Sequence, residues 1–430
     1  MLDTLIKNAV IIPMTERGLV IRGSVGISGG RIAFVGTDAP EAAEVIDARG
    51  HIVMPGLINA HAHTAMCVMR GYADDYTLQS WLFDKVFPVE ARLDERAIVA
   101  GARLGMAEML ACGTVSFSDM YFCQPAVAEE VGRIGMKANL CNAVIALGED
   151  YDFEKDRAVI ETRTLLERYG ASGPIRADVS IHAEYTSPPD IWRRVHDWAR
   201  EYGVITHIHL SETKAEHEEA FARRGMSAAA AFEKYGVLDT KTLMAHGVWL
   251  SGDDMRILAA HGASVAHCPV SNLKLGSGMA DVRAMHDHGI NVCLGTDGVC
   301  SNNSLDLFEE IKLSALLAKG MRHDPTALPA YDALRMATVC GATAQGRGNE
   351  TGRIETGFDA DLIMIDTDAP HIRPVYDPIS AVVYSARGSD VEMTMVRGRV
   401  LYRRGEWLTM DIEDALREVE EYAVPIVKNE

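Results

Sequence analysis

Between residues 55 and 350 the chain alternates two textures. Short apolar runs predict strands at 113–117, 137–145, 175–181, 204–210, 242–245, 264–267 and 291–295. Longer stretches between them predict helices at 94–111, 190–202, 214–225, 227–235, 252–260, 304–319 and 331–345. Such alternation implies a parallel sheet, and this many units implies closure. An α/β fold with a (β/α)8 TIM-type barrel is therefore expected over 55–350.

The two ends read differently. Segments 24–28 and 31–35 flank Gly29-Gly30, a hairpin signal, and residues 1–54 read as a small antiparallel β unit. Segments 361–366, 391–396 and 399–402 are strand-like too. The ends are expected to pair into one β-sandwich domain, 1–54 plus 351–410, with the barrel between them. Residues 411–430 carry a terminal helix, with Ile412, Leu416, Val419 and Tyr422 spaced for one face.

Composition narrows the partners more than the fold. At 430 residues the chain can bury a large core. A formal charge of −19 disfavours attraction to nucleic-acid phosphates or anionic membranes. The eight cysteines are scattered without a Cys-x-x-Cys pair, so neither a disulfide framework nor a zinc knuckle is indicated, and a reducing cytoplasm is expected. No secretory signal and no membrane-spanning apolar run is visible.

Four clusters of ionisable residues add chemistry. His61-Ala62-His63 follows the turn Pro55-Gly56 and the apolar pair Leu57-Ile58. Residues two apart on a strand project from one face, so these imidazoles make half of a tetrahedral metal site. A His-x-His pair alone is also what an ordinary half-buried strand shows. Company changes that: His207, His209 and Glu212 close one apolar run, His246 another, and Asp297 a third. Ionisable residues at successive strand ends are what surrounds the mouth of a (β/α)8 barrel.

Together with Gly295-Thr296-Asp297-Gly298 and 352–362, these motifs resemble the amidohydrolase superfamily across nearly the whole chain. The segments 81–90, 180–186 and 297–303 are similar to those of 5′-methylthioadenosine/S-adenosylhomocysteine deaminases. The resemblance implies that His61, His63, His209 and Asp297 ligate one divalent metal, Zn2+ or Fe2+, leaving room for a water. His207 shares a face with His209; the resemblance favours His209, with Glu212 three residues on. A second metal would need a bridging residue on the fourth strand, where there is no lysine and only Glu184 lies near.

The resemblance further implies that Glu212 shuttles a proton, that Asp297 helps pass one to the leaving ammonia, and that His246 orients the attacking oxygen. Glu90 would accept from ribose hydroxyls, Trp81 would pack near the sugar, His182 would lie near the ribose and Ser301 near the purine. Glu212 would also contact the substrate. The family's arginine for an amino-acid tail has no clear counterpart in the acidic stretch 149–156, with Arg157 and Arg163 nearby.

The expected activity is hydrolytic deamination of an adenosine-type nucleoside to its inosine analogue and ammonia. Alternatives are a hydrolase of another N-heterocycle, such as a chlorotriazine or guanine-like base, and a metal-binding protein without catalysis. A homo-oligomer of unspecified size is expected, with a small purine nucleoside as the binding partner.

Overall fold

The computed structural model describes residues 1–429. Its centre is a ring of parallel strands: β1 (Leu57–Ala62), β2 (Thr114–Tyr121), β3 (Lys137–Asn142), β4 (Ile175–Ala177 and Val179–Ala183), β5 (Thr206–Leu210), β6 (Thr242–His246), β7 (Ser264–His267) and β8 (Asn291–Leu294). Backbone pairing is continuous from β1 to the first half of β4, and from its second half to β8. The bridges Val144↔Ile181 and Ala62↔Asp297 join these two stretches and close the ring. The protein is thus a (β/α)8-type barrel, as its alternating texture predicts. Parallel strands are covered on both faces, which is why all eight residues of β2 are buried.

The connecting helices start where the sequence supplies caps. Asp94, Asp156, Thr213 and Ser251 each accept a hydrogen bond from a backbone N–H in the first turn of the helix that follows. The single helix predicted at 331–345 is instead two, Ala330–Met336 and Val339–Ala344. The break has a local cause. The Ala337 carbonyl accepts from the Ile58 N–H at 2.8 Å, and the Thr338 hydroxyl donates to the Leu334 carbonyl at 2.8 Å. Pairing with the start of β1 replaces the next helical turn.

A nine-stranded sheet is built from both chain ends. Strand Leu2–Ile11 pairs antiparallel with Ile21–Ser28 but parallel with Ala42–Asp47 and Ile52–Pro55, so the N-terminal unit is mixed rather than antiparallel. After the Gly29-Gly30 turn, Arg31–Gly36 runs in the direction of Leu2–Ile11, and the short links at 37–41 and 48–51 keep that direction. Ile52–Pro55 pairs antiparallel with Leu362–Ile365 and so joins the two ends. Ile6, Val25, Ile46, Leu362, Met364 and Met393 share one apolar core. The terminal helix runs Ile412–Glu418, widens over Val419–Ala423 and ends as Val424–Lys428. No helix among the described residues is long and apolar enough to cross a membrane.

Residues just beyond the last barrel helix plug the bottom of the ring. Arg347 is fully buried; its Nη1 donates to the Gly173 carbonyl and its Nη2 to those of Ala138 and Pro174. Its Nε donates to the Asn139 side chain, whose amide in turn donates to both oxygens of Asp178 at 3.2 and 3.0 Å. Gln345 accepts from Ser116 and donates to Ser118. Burial pushes the Asp178 carboxyl up to about 7, against the pull of Asn139, Arg347 and Arg176. A buried acid with a raised folded-state value costs stability as pH rises past its unfolded value near 4, and the full cost is present above about 7. In Asp178→Asn, unfolding free energy relative to wild type should therefore shift in the variant's favour by roughly 2–4 kcal/mol between pH 4 and pH 8. Denaturant titrations at the two pH values measure this; a pH-independent difference would refute it.

Candidate active site

The ionisable strand ends meet at the C-terminal face of the ring. β1 delivers His61 and His63, β5 delivers His209 and β6 delivers His246, with Asp297 just past β8. Closure brings the first and last of these together: the Asp297 N–H donates to the His61 carbonyl at 3.0 Å. Gly295 makes this approach possible, because a Cβ there would lie 2.7 Å from the Cβ of His61. His246 and Asp297 have φ of 72° and 61°. Left-handed backbone at non-glycine residues is strained, and such strain clusters at functional sites.

Each imidazole is held from behind at Nδ1. That of His61 meets His207 Nε2 at 2.9 Å, that of His63 the Met120 carbonyl, that of His209 the His182 carbonyl at 2.8 Å, and that of His246 the Asn272 side-chain oxygen at 2.9 Å. The Nε2 atoms therefore face inward. His63 Nε2 lies 3.3 Å from His209 Nε2 and 3.1 Å from Asp297 Oδ1, and His61 Nε2 lies 3.4 Å from the same oxygen. A tetrahedral ion with ligands about 2.05 Å away spaces them roughly 3.3 Å apart, so this donor set fits a divalent metal. The buried Nε2 of His61 also finds no hydrogen-bond partner among the described residues. Burial lowers His209 well below its usual value, which keeps the imidazole neutral and its lone pair free.

Carboxylates complete the site. Asp297 Oδ2 accepts from the hydroxyls of Ser271 at 2.6 Å and Ser301 at 2.8 Å, while Oδ1 accepts from the Gly298 N–H at 2.8 Å and faces the histidines. Burial raises the Asp297 carboxyl, but His61 and His63 outweigh it and hold the group well below the usual range. Glu212 accepts from the Ser277 hydroxyl at 3.1 Å and lies 3.7 Å from His246 Nε2. Burial raises Glu212, with His246 opposing only in part. Burial lowers His246, but Glu212 and Asp297 more than reverse this, so it holds a proton more readily than a free imidazole.

A narrow cavity of about 60 Å³ lies over these groups and opens to solvent at its mouth. Trp81, Glu90, His182, His209, Glu212, His246 and Asp297 line it together. Burial lifts the Glu90 carboxyl to about 7, with Tyr121 and His63 pulling the other way. Ser301 is the exception among the expected substrate residues. It does not line the cavity, because its hydroxyl is spent on Asp297 and the Gly298 carbonyl. His207 stands behind His61. Glu184 is bound by Arg223 at 2.6 Å and by Arg224, so it is not available to bridge two metals. A second hollow shares Phe87, Glu90, Phe122, Ala143 and Ile145 with the first and continues to Leu147, Arg157 and Glu161. Arg163 is engaged elsewhere, by Glu154 and over Trp198.

Several contributors escaped sequence reasoning: Tyr121, Ser271, Asn272 and Ser277. Tyr121 ends β2, and Ser271-Asn272 follow β7. The strand-end signal that picked out the histidines extends to them, but hydroxyls and amides are too common in turns to stand out.

Comparison with known proteins fits this geometry. Residues 52–401 match the amidohydrolase family. The chain is 43% identical over 422 residues to a 5-methylthioadenosine/S-adenosylhomocysteine deaminase of Moorella thermoacetica, covering 96% of this chain and 97% of that one. It is 41% identical over 429 residues to a 5′-deoxyadenosine deaminase of Methanosarcina mazei, covering 99% of each. A crystal structure of an adenosine deaminase from Xanthomonas campestris with bound zinc superposes with a TM-score of 0.95 at 30% identity over 99% of each chain. On this match and this identity, the chain belongs to the amidohydrolase family.

Proposed function

We propose that this protein is a metal-dependent deaminase of adenosine-type nucleosides. The observation that carries the reading is one cavity that joins His63, His209 and Asp297, with His61 clustered against them, to Glu212 and His246, and all of these to Glu90 and Trp81. The relatives' named substrates share an adenosine core and differ at the 5′ position, and the hollow beyond Glu90 supplies space for such a substituent. Zinc is the favoured ion, from the imidazole-rich donor set and the zinc in a structural neighbour; ferrous iron suits the same donors. Eight free cysteines, mostly buried, suit a reducing cytoplasm.

Bound there, a divalent metal supplies a Lewis acid and a water acidic enough to attack near neutral pH. The remaining chemistry belongs to the side chains. Glu212, raised by burial, takes a proton from the attacking water and delivers it to purine N1, which makes C6 electrophilic. His246 is fixed at Nδ1 by Asn272 and, when protonated, donates from Nε2 to the oxygen bonding to C6. As the C6–N6 bond breaks, a proton passed by way of Asp297 lets N6 leave as ammonia. Ser271 and Ser301 hold Asp297 Oδ2, which keeps Oδ1 turned inward. Glu90 accepts from ribose hydroxyls, Trp81 packs near the sugar and His182 lies near the ribose.

The first test is ammonia release from zinc-loaded protein with adenosine, 5′-deoxyadenosine, 5′-methylthioadenosine, S-adenosylhomocysteine, adenine, guanine and a chlorotriazine. Turnover of nucleosides but not free bases is expected; activity on a base or triazine alone would overturn the reading. Glu212→Gln should keep its metal and lose about 10³-fold in kcat. Undiminished turnover by metal-loaded Glu212→Gln would remove the shuttle role. Glu90→Ala should raise KM for the best nucleoside by about 10–100-fold, the worth of one or two buried hydrogen bonds, with kcat changed less. An unchanged KM would end the ribose assignment.

A further inference from the structure

Glu310 lies outside the cavity, on the buried face of helix Leu307–Arg322. It is fully buried, and no Lys, Arg or His forms an ion pair with it among the described residues. Burying a carboxyl without a cation is costly, and an apolar side chain there would pack at less cost. What the carboxyl does is use both oxygens. Oε1 accepts from Asn302 Nδ2 at 2.6 Å, and Oε2 accepts from the Val270 N–H at 3.2 Å.

These two donors sit on different segments at the barrel mouth. Asn302 belongs to the loop after β8, where its Nδ2 also donates to the Thr296 carbonyl at 2.7 Å. That loop carries Asp297 and Ser301. Val270 belongs to the short helix Pro269–Lys274 after β7, next to Ser271, which donates to Asp297 Oδ2, and Asn272, which holds His246 Nδ1. One carboxyl group therefore ties the loop after β8 to the short helix after β7, the two segments that set the directions of Asp297 and His246. A glutamine could not replace it: its amide offers one acceptor oxygen, and its nitrogen would face an N–H donor.

We propose that Glu310 is a positioning residue that fixes Asp297 and His246 relative to each other through Asn302 and Val270. The inference deepens the reading of these residues as a metal-dependent deaminase site and rests on it. The role is indirect, since Glu310 touches neither the cavity nor the reacting atoms.

The test uses the full chain and the variants Glu310→Gln, Asn302→Leu, both together, and Ser314→Ala. Ser314 is buried on the same helix with a hydroxyl that finds no partner among the described residues, and its variant controls for a general disturbance of that helix. Zinc affinity is measured by chelator competition, the visible spectrum is recorded on cobalt-loaded protein, and kcat and KM are taken per bound metal. Glu310→Gln and Asn302→Leu should each weaken metal binding by about 10–100-fold, alter the cobalt bands and lower kcat with KM nearly unchanged. The double variant should be no worse than the weaker single one, because both break one connection. Ser314→Ala should match wild type. If Glu310→Gln does not fold, Asn302→Leu decides by the same readouts. Folded variants that lose only thermal stability, with metal affinity and cobalt spectrum of wild type, would overturn the proposal alone. A wild-type chain that binds no metal would overturn the deaminase reading and this inference with it.

Discussion

The contact on which the site depends is the seam between the first and last barrel strands. The Asp297 N–H bonds to the His61 carbonyl, and Gly295 lets the two backbones come close enough for it. Residue 61 and residue 297 are far apart in the chain, so their meeting is a property of the closed ring alone. Without the seam, His61 and His63 would still sit side by side, but the carboxylate would be missing from their set. Closure and the geometry of the candidate metal site are in this sense one structural event.

The second constraint is electrostatic. Five imidazoles, those of His61, His63, His182, His209 and His246, and three carboxyl groups, Glu90, Glu212 and Asp297, share a buried space that no lysine or arginine lines among the described residues. Such a group is poorly balanced by itself: burial suppresses charge on His209 and raises Glu212, whereas Asp297 is held ionised by its histidine neighbours. A divalent cation would balance the carboxylates without requiring imidazolium partners. The hydrogen bonds behind each ring, from His207, Met120, His182 and Asn272, fix which nitrogen faces inward before any ion arrives.

Much of this was legible in the sequence, for identifiable reasons. Barrel strands are short apolar runs and helices carry a distinct period, so the alternation survives in the chain as written. The histidines stand out because ionisable residues at strand ends are chemically conspicuous. Ser301 was placed near the purine, whereas its hydroxyl faces Asp297, because nothing local tells a serine which of two oxygens it will meet. The break at Ala337–Thr338 was invisible for a similar reason: the carbonyl that leaves the helix goes to Ile58, a partner far back in the chain. Asn272 and Glu310 escaped because their importance lies in the partners that closure gives them.

Arg347 and Gln345 have a consequence for the order in which the molecule is made. The floor of the barrel is built from residues that follow its last helix, and the outer sheet joins Ile52–Pro55 to Leu362–Ile365. A nascent chain that has emerged as far as Asp297 already contains every side chain in the candidate metal-site cluster, yet lacks the guanidinium that caps the carbonyls of Gly173, Ala138 and Pro174. The N-terminal strands likewise wait for partners synthesised more than 300 residues later. Such separations make folding slow, and they leave an open-floored ring with unpaired edges as the species exposed during translation.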